Sequence, residues 1–161
     1  MTTNPATKVR DARLEDIARM ARWAQAMALE TEGKHLDGET VLRGIQRAFD
    51  DPNKGRYFVA ECEGQPAGML MLTWEWSDWR DGWWWWIQSV YTSKDFRRRG
   101  VYRALYAHVL ARAKADPDVR GIRLYVEREN TGAMRTYEDL GMLDAGYAMF
   151  EASFVDYGGK R

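Results

Sequence analysis

The period of the apolar positions changes along the chain, and each change predicts a helix or a strand. In the N-terminal third, apolar residues recur every three or four positions, as on one face of a helix. The first predicted helix has an apolar face made of Leu14, Ile17, Ala21, Ala24 and Ala28. The second has a face made of Leu42, Ile45 and Phe49. The N-terminal third is therefore expected to be helical.

The middle of the chain has the composition of β-strands instead. Residues 56–62 and 67–76 are rich in β-forming residues and flank a Glu-Gly-Gln-Pro turn, which predicts an antiparallel hairpin. After a second turn, residues 83–92 are apolar at almost every position. A run of this kind is typical of a strand that is buried on both faces of a sheet.

Helical and strand patterns alternate again in the C-terminal half. Residues 101–115 predict a helix that stops at an Asp-Pro pair, and residues 122–126 predict a short strand. Asn130 is expected to cap a further helix, because its side-chain oxygen can accept from the first free N–H groups. The inner face of that helix consists of Ala133, Met134, Tyr137 and Leu140. Gly141 is expected to end the helix, and residues 147–154 predict one last strand.

Composition narrows the class of protein. The chain has 161 residues, the usual size of one domain, so residues 1–161 are expected to form a single domain. Its 24 basic and 24 acidic residues leave no net charge to attract nucleic acid or a membrane surface. The single cysteine, Cys62, lacks the Cys or His neighbours of a zinc site. We expect a cytoplasmic enzyme or binding module with no metal, nucleic acid or membrane partner.

The candidate chemistry begins at a basic glycine turn, Arg-Arg-Arg-Gly-Val-Tyr at residues 97–102. The turn follows a buried strand and opens a helix, and the free N–H groups of a helix start attract phosphate. Open α/β sheets bind their ligands at such positions. The alternative is a solvated surface turn in which Gly100 only permits the bend. The turn alone does not separate these two interpretations.

The turn and the residues after it resemble the GNAT superfamily of acyl-CoA-dependent N-acetyltransferases. The family signature is Arg or Gln, two variable residues, Gly, one variable residue, then Gly or Ala. Arg97 and Gly100 match this signature, whereas Tyr102 departs from it. The second half of the family pattern is matched by Leu124, Tyr125, Val126, Glu129, Asn130, Met134, Tyr137, Leu140, Gly141 and Met142.

The resemblance implies both a fold and a co-substrate. The implied fold is a GNAT-like α/β (α+β) domain with a mixed, mostly antiparallel twisted sheet of six to seven strands. About four helices would flank this sheet, which would splay between strands 4 and 5. The implied co-substrate is acetyl-CoA, with no metal.

The resemblance also implies roles for individual residues. The pantetheine arm would pair with the main chain of Val90, Tyr91 and Thr92, and the Val90 N–H would stabilise the oxyanion. Asn130 would contact the pantetheine or anchor its loop, and Tyr137 would be the general acid for the leaving thiolate. The pyrophosphate would lie on the basic turn, whose residues are Arg97, Arg98, Arg99, Gly100, Val101, Tyr102 and Arg103.

No motif identifies the base that deprotonates the acceptor amine. A lysine-like amine has a pKa of about 10.4 and is mostly an unreactive ammonium at neutral pH, so a proton has to be removed. Our first candidate is Glu75, which belongs to a strand that should border the cleft. The other candidates are Asp78, Glu127, Glu30 and Glu32. The alternative for each is an ordinary surface carboxylate.

Seven of the eight tryptophans fall within residues 74–86. Some are expected to fill the core, where each buries about 200 Å². Exposed indoles beside Glu75, Asp78 and Asp81 would form either a cation–π site for an amine or a dimer patch. The sequence leaves both possibilities open.

We therefore expect an N-acetyltransferase that moves an acetyl group from acetyl-CoA to a primary amine by direct attack. The acceptor would be a small molecule in preference to a peptide, and a homodimer is compatible with the sequence. The alternative is a non-catalytic module that binds or senses acyl-CoA. A third interpretation, an RNA-binding domain, is disfavoured by the balanced charge and by the lack of a nucleic-acid motif.

Overall fold

The computed structural model describes residues 7–155, which form a central sheet with helices on both sides. The elements in chain order are β1 (Thr7–Asp11), α1 (Ile17–Glu32), α2 (Gly38–Asp50), β2 (Arg56–Cys62), β3 (Gln65–Ser77), β4 (Gly82–Thr92), α3 (Val101–Ala115), β5 (Val119–Leu124) and α4 (Thr131–Asp139). Short 3-10 turns at Leu14–Asp16 and Lys94–Phe96 precede α1 and α3. Across residues 7–155, no helix has the length and apolar character needed to cross a bilayer.

The strand order of the sheet is β1-β2-β3-β4-β5. Neighbouring strands are antiparallel from β1 to β4, whereas β5 is parallel to β4. The pairing between β4 and β5 runs from Trp83 opposite Val119 to Ile87 opposite Leu124. Residues 88–92 of β4 continue beyond that pairing. The sheet therefore splays between β4 and β5, as the family resemblance implies.

Each face of the sheet is covered by helices and has its own apolar core. On one face α3 packs with Val101 and Leu105 against Phe58 and Leu72. On the other face α1 and α2 pack with Met20 and other apolar residues against the sheet. The residues of this second core are Ile17, Met20, Ala21, Trp23, Ile45, Ala48, Tyr57, Val59, Met69 and Tyr91. The three layers hold β4 in the middle of the molecule.

All four helices predicted from the apolar pattern are present, and the expected caps are in place. Asn130 caps α4 by accepting a hydrogen bond from the Ala133 N–H at 3.1 Å. Gly141 follows α4 with a left-handed φ of 87°. Asp37 caps α2 in the same way, accepting from the Thr40 N–H at 2.8 Å. The periodicity of the sequence was sufficient to place these elements.

The expectation of six to seven strands is wrong for residues 7–155, where the sheet has five. The strand predicted at residues 147–154 does not form, because a strand needs a neighbour to pair with and β5 pairs only with β4. The first strand, β1, was not predicted at all. Lys8 and Arg10 interrupt its apolar positions, so its sequence resembles a polar lead-in.

Candidate functional site

A cavity of about 630 Å³ opens where the ends of β4 and β5 separate. The last turns of α1, the end of β4, the basic turn and the loop before α4 enclose it. Its lining residues are Met27, Glu30, Thr31, Val90, Tyr91, Thr92, Arg97, Glu127, Glu129 and Asn130. The cavity therefore brings together five of the predicted cofactor-binding residues, namely Val90, Tyr91, Thr92, Arg97 and Asn130.

The basic turn bends through two left-handed residues before α3 begins. Arg98 has a φ of 61° and Gly100 a φ of 78°, and Gly100 is the N-terminal cap of α3. The first N–H groups of α3 have no carbonyl one turn earlier to pair with, so they are available to an anion. Five of the predicted residues, Arg98, Arg99, Gly100, Val101 and Tyr102, belong to this turn or helix start but do not line the cavity. The same is true of Arg103.

A glycine in β3 allows α3 to begin close to the sheet. A methyl group on Gly68 would lie 2.7 Å from the Tyr91 carbonyl oxygen and 2.9 Å from Val101 Cγ1. Both distances are shorter than a methyl contact allows, so any larger residue would push β4 and α3 away. Gly68 thus sets the spacing between the end of β4 and the helix start.

An ion pair connects α1 to the basic turn across the cavity. Arg97 Nη2 donates to Glu30 Oε2 at 2.5 Å, and the Tyr91 hydroxyl donates to Glu30 Oε1 at 3.1 Å. Arg97 Nε also donates to the Thr92 carbonyl at 3.2 Å, which holds the guanidinium over the end of β4. The hydrogen bond from Arg97 is the main cause that lowers the pKa of Glu30. Glu30 is therefore an anion at neutral pH.

Three carboxylates line the cavity, and they are Glu30, Glu127 and Glu129. Glu30 is occupied by Arg97 and Tyr91, whereas Glu127 and Glu129 lie in the loop between β5 and α4. Of the predicted base candidates, the structure thus brings Glu30 and Glu127 to the cavity. A positively charged or protonated group would be attracted to this side of it.

Glu75, our first candidate for the base, lies elsewhere. It belongs to β3 and accepts a hydrogen bond from Arg123 Nη1 of β5 at 2.7 Å, and it does not line the cavity. Arg123 in turn lies 3.9 Å above the ring of Trp84. In this structure Glu75 is part of a surface ion pair beside the tryptophan cluster.

Tyr137 lies on α4 and packs against the start of α3. Its ring is 5.8 Å from that of Tyr102 in an edge-on arrangement, and it does not line the cavity. Burial raises the pKa of Tyr137, so its phenol keeps its proton at neutral pH. The Tyr102 hydroxyl is buried without a hydrogen-bond partner, and burial raises its pKa as well. Two protonated phenols therefore lie side by side at the start of α3.

The tryptophan cluster divides between core and surface. Trp74 and Trp85 pack edge-on against each other and contribute to the core under α3. Trp76, Trp79 and Trp83 are exposed, and Trp76 and Trp83 form a cross-strand pair 5.0 Å apart. Hence the exposed indoles are at the turn end of the β3–β4 hairpin, at the opposite end of β4 from the cavity.

The structure adds Met27, Thr31 and Glu129 to the residues that sequence reasoning assigned to a site. Met27 and Thr31 lie on the same face of α1 as Glu30, three or four positions apart. This shared face was the signal available in the sequence, but only the fold shows that it points toward β4. For metal ions, residues 7–155 contain no group of three or more His, Cys, Asp or Glu side chains suited to ligation.

Comparison with known proteins identifies the class to which this fold and site belong. The profile described as "Acetyltransferase (GNAT) family" matches residues 17–142. This match spans most of the chain, from α1 to the residue after Gly141. The chain belongs to the GNAT family, and it is an acyltransferase.

Solved structures agree with this assignment. A possible acetyltransferase from Clostridium difficile 630 is 38% identical, with a TM-score of 0.87 over 94% of this chain and 99% of that chain. The aminoglycoside N-acetyltransferase AAC(6')-Iy, solved in complex with CoA, is 15% identical, with a TM-score of 0.75 over 92% of this chain and 95% of that chain. At that identity the second likeness concerns the fold alone. A search of curated protein sequences found no match.

Proposed function

We propose that the protein transfers an acetyl group from acetyl-CoA to a primary amine of a small-molecule acceptor. The observation that supports this most strongly is the cavity at the splay, which sets residues 90–92 of β4 beside Arg97 and the start of α3. A strand edge without a neighbour can pair with an amide-containing arm, and a helix start can hold a phosphate. Acetyl-CoA carries both groups.

The residues present fit this co-substrate. The cavity of about 630 Å³ lies in the range of about 300–1,000 Å³ that is common for small-molecule sites. Val90, Tyr91 and Thr92 would hold the pantetheine arm, and Asn130 would hold its other side. The diphosphate would lie on the amides of the basic turn, next to the Arg97 guanidinium.

The thioester supplies an acyl group that an amine can attack without further activation. We assign to the Val90 N–H the stabilisation of the negative charge that develops on the carbonyl oxygen. Tyr137 keeps a proton at neutral pH because burial raises its pKa, and we assign it the protonation of the leaving sulfur. Both assignments follow from the family resemblance and from the positions of β4 and α4.

The acceptor amine has to lose a proton before it attacks, and we propose Glu127 for this role. Glu127 lines the cavity, whereas the first candidate from the sequence, Glu75, is bound to Arg123 outside it. Glu30 also lines the cavity, but Arg97 and Tyr91 occupy its carboxylate. The acidic side of the cavity would also attract an acceptor that carries further positive charge.

We further propose a small-molecule acceptor, a cytoplasmic location and a homodimeric state. The absence of net charge gives the chain no attraction to nucleic acid or to an anionic membrane surface. A cavity of this size suits a small amine better than a folded protein surface.

The proposal is tested by acetyl-CoA-dependent release of CoA thiol in the presence of a panel of amines. The panel would contain polyamines, amino acids, aminoglycosides and a peptide with a free N-terminus. Release that depends on one of the small amines is the expected result. Stable binding of acetyl-CoA without release for any amine would favour the alternative, a module that binds acyl-CoA without catalysis.

A further inference from the structure

The segment after α4, residues 143–155, presents large apolar side chains to solvent. Leu143 is 90% exposed, Phe150 93% and Phe154 98%. Tyr147 and Met149 are exposed as well. Isolated exposed apolar residues are common, but a continuous run of them marks a surface that another molecule covers.

The pattern of this segment is that of a strand. Ala148, Phe150, Ala152 and Phe154 alternate with Met149, Glu151 and Ser153, so one side would be apolar throughout. A strand is stable only when its backbone groups pair with a neighbour. Among residues 7–155, however, the segment belongs to no strand pair. It runs past Lys34, whose raised pKa is due first to Glu32 and includes a contribution from Glu151.

The same molecule has an uncovered strand edge at β5. In the described sheet β5 pairs with β4 on one side and has no strand on the other. The opposite edge of the sheet, β1, is short and carries Lys8 and Arg10, charges that discourage further pairing. Helix α4, which follows β5, has no buried residue. The end of the molecule formed by β5 and α4 is therefore the uncovered one.

We propose that the protein is a two-fold dimer in which residues 143–155 of each copy pair with the β5 edge of the other. Each chain carries both an uncovered edge and an unpaired strand segment, and a two-fold exchange satisfies both in both copies. An unrelated partner that supplied a strand to β5 would leave the apolar segment exposed. A second copy is thus the occupant that completes the molecule.

The apolar surface is large enough for a stable interface. Tyr147, Phe150 and Phe154 can bury about 150–250 Å² each, so the aromatic side chains of two copies bury on the order of 1,000 Å². The surface that they cover on β5 and the other apolar side chains add to this area. The total reaches the roughly 1,200–2,000 Å² of specific interfaces. Trp83, which is exposed and lies opposite Val119 of β5, extends the surface toward the hairpin turn.

The mass of the full chain in solution, measured by light scattering over a wide dilution series, tests the exchange. We expect twice the mass of one chain for the wild type and one chain mass for the double variant Phe150→Asp, Phe154→Asp. Leu14→Asp is the matched control, because Leu14 is also exposed but lies before α1, and this variant stays dimeric. A monomeric wild type at every concentration, or a dimeric double variant, overturns the proposal.

Two proline variants distinguish strand pairing from simple apolar contact. Successive residues of a strand point their N–H groups to opposite sides, so one of Ala152→Pro and Ser153→Pro removes a donor to β5. Both side chains are exposed in the single chain, and both variants should therefore fold, as circular dichroism would check. Dissociation of one of the two supports the exchange, and retention of the dimer by both contradicts it. The result is independent of whether acetyl-CoA binds.

Discussion

Glu30 Oε2 and Arg97 Nη2 lie 2.5 Å apart and join the end of α1 to the turn that precedes α3. Arg97 is the residue that begins the family signature, and its guanidinium also donates to the Thr92 carbonyl. An internal carboxylate thus occupies the cation that, in our proposal, lies next to the diphosphate of CoA. Glu30 and the diphosphate would compete for the same guanidinium.

This competition predicts that Glu30→Gln binds CoA more tightly than the wild type. A partly exposed ion pair contributes about 0.5 kcal/mol, so its loss should raise the affinity about twofold. Calorimetric titration with CoA measures the change. Glu39→Gln, which alters an exposed acid on α2, is the control and should leave the affinity unchanged. Weaker binding by Glu30→Gln would show that the carboxylate supports the ligand instead of opposing it.

Tyr137→Phe should lower kcat and leave the KM for acetyl-CoA nearly unchanged. Removal of a general acid typically costs a factor of about 10²–10⁴. Because burial raises the pKa of Tyr137, the wild type should retain this acid up to and beyond the ordinary tyrosine pKa of about 10. Steady-state kinetics over a pH series provide the comparison. An unchanged kcat would remove Tyr137 from the reaction.

Gly68→Ala should destabilise the protein and weaken CoA binding together. The added methyl would lie 2.7 Å from the Tyr91 carbonyl oxygen and 2.9 Å from Val101 Cγ1, so β4 and the start of α3 have to separate. Overpacking of this kind costs about 1–3 kcal/mol. Chemical denaturation and CoA titration of the same variant give both quantities. In contrast, Gly44→Ala lies in α2 with open space around it and should be stabilising by up to about 1 kcal/mol. Wild-type stability in Gly68→Ala would contradict this account of the spacing.

Asp16 should stabilise the fold at neutral pH and lose its contribution in acid. Burial raises the pKa of Asp16, but hydrogen bonds from Arg10 and the Arg13 N–H outweigh this and leave it below the ordinary value. The contribution is therefore complete above about pH 4 and is lost as the pH falls through the lower folded-state pKa. Asp16→Asn should cost about 2 kcal/mol at neutral pH.

The difference between Asp16→Asn and the wild type should shrink as the pH falls below about 4. Urea denaturation at several pH values measures it. Glu15→Gln is the control in the same turn, since Glu15 is exposed and 3.5 Å from Arg13, and it should change the stability little. A difference that stays constant with pH would mean that the charge of Asp16 is not what stabilises the turn.

The helices and the basic turn could be predicted from the sequence because their signals are local. Apolar residues three or four positions apart define the faces of the helices, and Arg97 with Gly100 defines the turn. Glu30 could be named only as one of several acids, since its partner Arg97 lies 67 positions away. The choice between Glu75 and Glu127 is likewise a question of which strand neighbours which, and the sequence does not contain that information locally.

The two errors in the predicted sheet have the same physical origin. A strand is defined by its partner, so alternation alone did not reveal β1, whose partner is β2. The same alternation predicted a strand at residues 147–154, although that segment has no partner within the described chain. Helices satisfy their own hydrogen bonds and strands do not, which is why the helices were the better predicted elements.

The central claim, that the cavity at the splay binds acetyl-CoA, is tested most directly by calorimetric titration of acetyl-CoA, CoA and ATP into the wild type and Arg97→Gln. The account predicts saturable binding of both CoA compounds to the wild type, weaker binding of both to Arg97→Gln, and no comparable binding of ATP. Absence of binding at millimolar acetyl-CoA, or equal affinity of the variant and the wild type, would contradict it.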